Sequence, residues 1–269
     1  MNQRPIVQGK IMFIHHDEAD LFVVSFGGGS RTLVGLGGWT GSWEVWADVF
    51  GILSQSWRTV GIDHRGTGAT VAPPESISHT TMTADLFAVL DKLGIEKCVL
   101  AAESSGTAVA LTAAQQQPER FEGLVLVGGL YYRPDSAEPD RFLMGLERVY
   151  ETAVNQFIAN CLPETNSPAV HQWANKILMR ASQDAAIALY KANFGLDLRP
   201  ALRHITPPTL ILHGDADRIV PVEAAQWLAT QLPNNQLTIL PGAGHAPMMT
   251  MPDEVAAAIN GAFKTSEVC

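Results

Sequence analysis

The sequence predicts an α/β protein in which a mostly parallel sheet is covered by helices on both faces and interrupted by a helical insertion. Three observations predict it. Short apolar runs at residues 60–62, 98–102, 123–127, 209–212 and 237–240 alternate with segments of helical periodicity, the order that builds parallel sheets from strand–helix–strand units. The runs are apolar along their length, as strands covered on both faces must be. From about residue 133 to 204 no strand-like run occurs, while Phe142, Leu146, Val149 and Tyr150, then Trp173, Ile177 and Leu178, keep helical spacing.

Each element follows in order. Residues 11–15, 21–26 and 32–35 are β-rich and are separated by His16-Asp17-Glu18 and by Gly27-Gly28-Gly29-Ser30, which reads as an antiparallel hairpin feeding a buried strand. Trp43, Trp46, Phe50 and Leu53 form one helical stripe, and Met82, Leu86, Leu90 and Leu93, closed by Gly94, form another; both are read as core packing. Leu162-Pro163 and residues 166–168 break the helical insertion, and Thr206-Pro207-Pro208 marks the return to the sheet. The domain reading is therefore one core, residues 1–132 and 205–269, with a helical lid at residues 133–204. At roughly 70 residues the lid is short for an independent domain.

Composition excludes several classes of function. The 269 residues are 46% hydrophobic and 17% charged, which describes an ordered globular chain. With 18 Lys and Arg against 27 Asp and Glu, a net charge of -9 and no basic run, nothing supplies the positive stripe that nucleic acid requires. The charge favours solubility over nonspecific association and is silent on oligomeric state. Cys98, Cys161 and Cys269 are scattered and odd in number, so they indicate neither a disulfide framework nor a zinc site and fit a reducing compartment. Residues 1–10 lack the pattern of a signal peptide, and no apolar run approaches the ~18 residues of a membrane span, so the expected location is cytoplasmic, away from membranes.

The sharpest chemical signal is Leu100-Ala101-Ala102-Glu103-Ser104-Ser105-Gly106, an apolar strand entering a helix through small residues. That is the setting of a nucleophile elbow, G-x-S-x-G, whose flanks at minus two and plus two must be small because backbones pass close. The flanks are Ala102 and Gly106 if Ser104 is the nucleophile, but Glu103 and Thr107 if it is Ser105, so Ser104 is preferred. Ala102 in place of the first glycine leaves two helix-capping serines as a competing reading. Farther along, Gly214-Asp215-Ala216-Asp217 places carboxylates just beyond a buried strand, and Gly242-Ala243-Gly244-His245 places a histidine beyond the next. A serine hydroxyl needs an imidazole to take its proton, and the imidazole needs a carboxylate to orient it.

Together with Asp63-His64-Arg65-Gly66-Thr67-Gly68, which is similar to a D-x-R-G-x-G turn, these segments resemble the α/β-hydrolase family over essentially the whole chain. Among its subgroups the length and insertion resemble small esterases, enol-lactonases and perhydrolases. The resemblance implies a mostly parallel eight-stranded sheet flanked by helices, with an inserted helical cap. It also implies Ser104 as nucleophile, His245 as general base and Asp217 as the orienting acid, its spacing from Gly214 favouring Asp217 over Asp215. Backbone N–H groups of Ser105 and Leu36 would form the oxyanion hole, with Val34 standing where the family commonly has histidine. The implied activity is hydrolysis of a small-molecule carboxylic ester or lactone through an acyl-enzyme, with no cofactor and no metal. Carbon–carbon bond hydrolysis, perhydrolysis, and a ligand receptor or signalling protein with slow incidental hydrolysis share the same triad.

Other candidates have plainer readings. His15 and His16 are assigned to a surface hairpin, His213 to a strand end and His64 to the turn before Gly66; none has metal-ligand spacing. Gly27 to Gly29 lack a phosphate-binding frame and read as a turn. Glu103 is expected to be solvated or to touch the lid, though a carboxylate so placed could raise the pKa of His245. Trp39 and Met248, with Met249 and Met251, either pack the lid or line a substrate pocket.

Overall fold

The computed structural model describes residues 9–164 and 168–263. The expectations for residues 1–8, for the break at residues 166–167 and for Cys269 lie outside the described residues. The hairpin forms as β1 (Gly9–His16) and β2 (Ala19–Phe26), paired antiparallel from Gly9 opposite Phe26 to His16 opposite Ala19. Then follow β3 (Thr32–Leu36), α1 (Ala47–Leu53), β4 (Arg58–Ile62), α2 (His79–Lys92), β5 (Cys98–Glu103), α3 (Gly106–Gln116) and β6 (Phe121–Val127). α2 begins at a reciprocal cap between Ser78 and Thr81. It is followed by Gly94 at φ +62°, a left-handed backbone conformation that residues with a Cβ rarely adopt.

The segment after β6 holds α4 (Arg141–Arg148), α5 (Tyr150–Cys161), α6 (Pro168–Leu178), α7 (Gln183–Lys191) and α8 (Arg199–Leu202). It is not wholly helical, as the sequence suggested: β7 (Tyr132–Arg133) and β8 (Leu196–Asp197) pair antiparallel at its neck. Two residues per strand are too few to leave a periodic signal. The chain then returns through β9 (Thr209–Gly214), α9 (Val222–Gln231), β10 (Asn235–Leu240), α10 (Pro247–Thr250) and α11 (Pro252–Ala262).

The main sheet has eight strands in the order β1-β2-β4-β3-β5-β6-β9-β10, antiparallel at the first two pairings and parallel at the other five. Every residue of β5 and β9 is buried, the consequence of helices on both faces. β1, at the edge, leaves Ile11 and Phe13 exposed. Among the described residues no helix is long and apolar enough to cross a membrane.

The D-x-R-G-x-G turn is structural. Asp63 accepts hydrogen bonds from the backbone of Trp43 (2.8 Å) and Ala69 (2.9 Å), and a Cβ on Gly68 would strike its carboxylate. Arg65, 1% exposed, makes a two-pronged pair with Asp85 on α2 at 2.7 and 2.9 Å. His16 Nδ1 meets the same carboxylate at 2.7 Å. His16 is thus part of a buried ionic cluster and not a free surface residue, whereas His15 remains exposed.

Candidate active site

Ser104 directly follows β5 and has φ +52°, one of two described non-glycine residues in the left-handed region. That conformation is costly for a residue with a Cβ and persists where surroundings enforce it. Here the Ser104 N–H donates to Val127 O at 2.8 Å, and its carbonyl accepts from Thr107 N (3.0 Å) and Thr107 Oγ1 (2.6 Å). The plus-two position must be glycine, because a Cβ on Gly106 would run into the Gly37 carbonyl oxygen. Ser105 stands beside it as the N-cap of α3.

Asp217 and His245 come from the loops beyond β9 and β10, and adjacent parallel strands bring their ends together. His245 Nδ1 lies 2.7 Å from Asp217 Oδ2, with both side chains at or below 1% exposure. Asp217 Oδ1 accepts from Ile219 N (2.7 Å) and Val220 N (3.0 Å), and His213 Nε2 stands 3.3 Å from Oδ2. Burial works to raise the Asp217 pKa, but hydrogen bonds from His213, His245 and the backbone outweigh it and hold the carboxyl well below its usual range. Asp215 is exposed and instead accepts from Gly242 N at 2.6 Å, so it does not reach the imidazole. His213, read from sequence only as a strand end, is a partner of Asp217.

His245 Nε2 is buried and has no hydrogen-bond partner among the described residues, so Ser104 is not joined to it by a hydrogen bond. The nearest charged atom is Glu103 Oε1 at 3.5 Å. Of the two readings the sequence offered, Glu103 is not the solvated one: it is 8% exposed, it lines the narrow cavity beneath the lid, and its Oε2 accepts from Gly38 N at 2.6 Å. A buried amide next to the elbow needs an acceptor, and this carboxylate is within reach. Leu36, the last residue of β3, is fully buried, and its carbonyl accepts from Trp46 Nε1 at 2.9 Å. Beneath this loop lies His64, hydrogen-bonded to the Gly37 backbone and held at a pKa of about 4 chiefly by burial, hence neutral. An imidazole from the turn after β4 therefore supports the loop that Val34 does not.

Two cavities meet at Ser104. The narrower, about 40 Å³, runs under the lid between Glu103, Phe157, Leu162 and Met248. The wider, about 380 Å³, opens past Ser105, Tyr190, Asn160 and Arg218. Trp39 borders both, and its Nε1 donates to Ala186 O on α7 at 2.8 Å while its ring meets Phe142 and Phe157 edge-on at 5.1 and 5.0 Å. It packs the lid and lines the pocket at once. Met248 and Met249 line only the narrow cavity, and Met251 packs against the core. Leu36 borders neither cavity. Among the described residues no three His, Cys, Asp or Glu side chains converge as metal ligands.

A family model described as the alpha/beta hydrolase fold matches residues 31–252. A pimeloyl-[acyl-carrier protein] methyl ester esterase of Nitrosomonas europaea is 30% identical, the match covering 84% of this chain and 93% of that protein. A putative carbamate hydrolase, RutD, of a Caulobacter species is 28% identical over 85% of this chain and 89% of its own. Among solved structures, a thermophilic esterase from Thermogutta terrifontis superposes with a TM-score of 0.83 at 26% identity, covering 94% of this chain and 97% of its own.

Proposed function

Because the chain belongs to the α/β-hydrolase fold family and is a serine hydrolase, we propose that it cleaves a small carboxylic ester or lactone through an acyl-enzyme on Ser104. The observation that carries this reading is the fully buried Asp217–His245 pair at 2.7 Å, with Ser104 held at φ +52° at the junction of two cavities. Nδ1–H donates to Asp217, so the lone pair of neutral His245 lies on Nε2, the nitrogen that faces the active site.

In the proposed reaction Ser104 turns its Oγ toward Nε2, the imidazole takes the hydroxyl proton, and Oγ bonds to the carbonyl carbon. The oxyanion is received by the Ser105 N–H at the positive end of α3, which borders the wider cavity; Leu36, expected from the sequence as a second donor, is the last residue of β3 and borders neither cavity, so it does not take that role. The Gly38 N–H, in the loop after β3, is already bonded to Glu103. The imidazolium returns its proton to the leaving alkoxide, or to the ring oxygen of a lactone, which departs. Water, deprotonated by His245, then attacks the acyl carbon and releases the acid and Ser104. The helices that follow β6 act as the lid, with the β7–β8 pair at their neck and Trp39 Nε1 bonded to Ala186 O on α7.

The esterase name of the Nitrosomonas relative supports an ester substrate. The test is turnover of short p-nitrophenyl esters and of lactones by wild type and Ser104→Ala. Repeated turnover by wild type, loss on the order of 10⁴-fold or more in the variant, and fluorophosphonate labelling at Ser104 alone are expected. A single slow burst followed by arrest would replace catalysis with ligand reception as the biological role.

A further inference from the structure

We infer that Glu103 is a positioning residue for the chemistry at Ser104: its carboxylate stands beside the free nitrogen of His245 and ties down the loop after β3, so the imidazole has a carboxylate near each of its nitrogens. The inference rests on the assignment of Ser104 and His245 above. Its geometry is specific. Glu103 Oε1 lies 3.5 Å from Nε2, on the opposite side of the ring from Asp217. Its other oxygen accepts from Gly38 N at 2.6 Å. The side chain has no alternative course that keeps this contact, because swinging outward would strand a buried amide. Gly38 is matched to it: a Cβ there would come within 2.5 Å of Glu103 Oε2 and 2.7 Å of Ser104 Cβ.

The groups packed around His245 come from several elements. Asp217, backed by His213 from β9, holds Nδ1. The Cys161 carbonyl at the end of α5 accepts the His245 N–H at 2.8 Å, and burial keeps its thiol well above the ordinary range and so uncharged. Glu164 accepts from the preceding residue, Gly244, at 2.7 Å. Among the described residues, Glu103 is the carboxylate beside Nε2; burial raises its own pKa, while the charge of a protonated His245 and the Gly38 N–H pull it down. Burial of the ring lowers its pKa, but the hydrogen bond and charge of Asp217 and the charge of Glu103 prevail, and His245 lies above its ordinary 6.5.

The consequence is a proton-release step. Below the His245 pKa, Nε2 carries a proton that faces Glu103 Oε1, and the Ser104 hydroxyl has no base to receive its own. As pH rises that proton passes to solvent, the ion pair dissolves, and the Nε2 lone pair can accept from Ser104 Oγ. Reactivity is therefore gained as pH rises through a limb above 6.5, and the sign follows from a raised base that must be neutral to act.

The test is the rate at which a fluorophosphonate modifies Ser104 between about pH 5 and 10 in wild type, Glu103→Gln and Glu103→Asp. Glutamine can still accept from Gly38, so it removes the charge and leaves the tether. Its limb should fall by about one pH unit. Aspartate, one methylene shorter, withdraws the charge from Nε2 and should lower the limb by less. An unchanged limb in either folded variant overturns the inference, and so does failure of both variants to fold, which would make Glu103 a packing residue. Failure of the premise is separately visible: wild type unmodified at every pH overturns the Ser104 assignment and this inference with it.

Discussion

Replacing Asp217 by Asn tests the base through its orienting acid, and the hydrogen bonds around the carboxylate fix how the amide must sit. Oδ1 accepts two backbone N–H groups, from Ile219 and Val220 at 2.7 and 3.0 Å, while Oδ2 receives His245 Nδ1 and the longer contact from His213. An amide has one acceptor oxygen. Turning its NH₂ toward Ile219 and Val220 would leave two buried donors unpaired at about 1–3 kcal/mol each. Turning it toward His245 sacrifices only the 3.3 Å contact from His213, provided the His245 ring shifts its proton. The second arrangement wins, so Nδ1 becomes the acceptor and the proton moves to Nε2, where it blocks the removal of the Ser104 proton. The expected loss in kcat/KM is about 10⁴-fold, the scale for a triad carboxylate made into its amide, or about 5.5 kcal/mol of transition-state stabilisation. The assay is p-nitrophenyl ester hydrolysis beside a thermal melt, with Asp215→Asn as the companion. A folded Asp217→Asn protein within tenfold of wild type, or an Asp215→Asn protein that loses activity instead, would falsify the reasoning.

Two further substitutions probe the frame around the chemistry. Gly106→Ala puts a methyl group against the Gly37 carbonyl and must push the elbow and the loop after β3 apart; kcat should fall about 10²-fold. An active, unshifted variant would show that the close approach is not required. Trp39→Ala removes a buried indole, its bond to Ala186 and its contacts with Phe142 and Phe157, and should cost about 3–5 kcal/mol, or on the order of 10 °C in Tm. An unchanged melting temperature would mean that the lid helices are anchored elsewhere.

The mostly parallel sheet and the loops that bear Ser104, Asp217 and His245 were legible because parallel strands place their C-terminal ends along one edge, so residues distant in sequence converge there. Side-chain direction at that edge was not. Glu103 follows an apolar strand and precedes a helix whether it points to solvent or inward; the unpaired Gly38 amide, 65 residues earlier, decides it. The role of His16 depends on Asp85, 69 residues away on α2, and a local hairpin pattern holds no trace of that partner. The same holds for His64, whose hydrogen-bond partner Gly37 comes from the loop after β3.

The sequence by itself determined the fold class and the family, because periodicity, small flanks at a tight turn and glycine-rich loops are local consequences of sterics and burial. It also narrowed the nucleophile to one of two adjacent serines through the size of their neighbours. Tertiary structure alone decided that the ring carries a carboxylate near each nitrogen and that Trp39 serves both lid and pocket, and it brings to the imidazole the Asp217 that spacing favoured over Asp215. Those outcomes depend on distances of a few tenths of an ångström between chain segments joined only by packing, and local pattern carries no record of them.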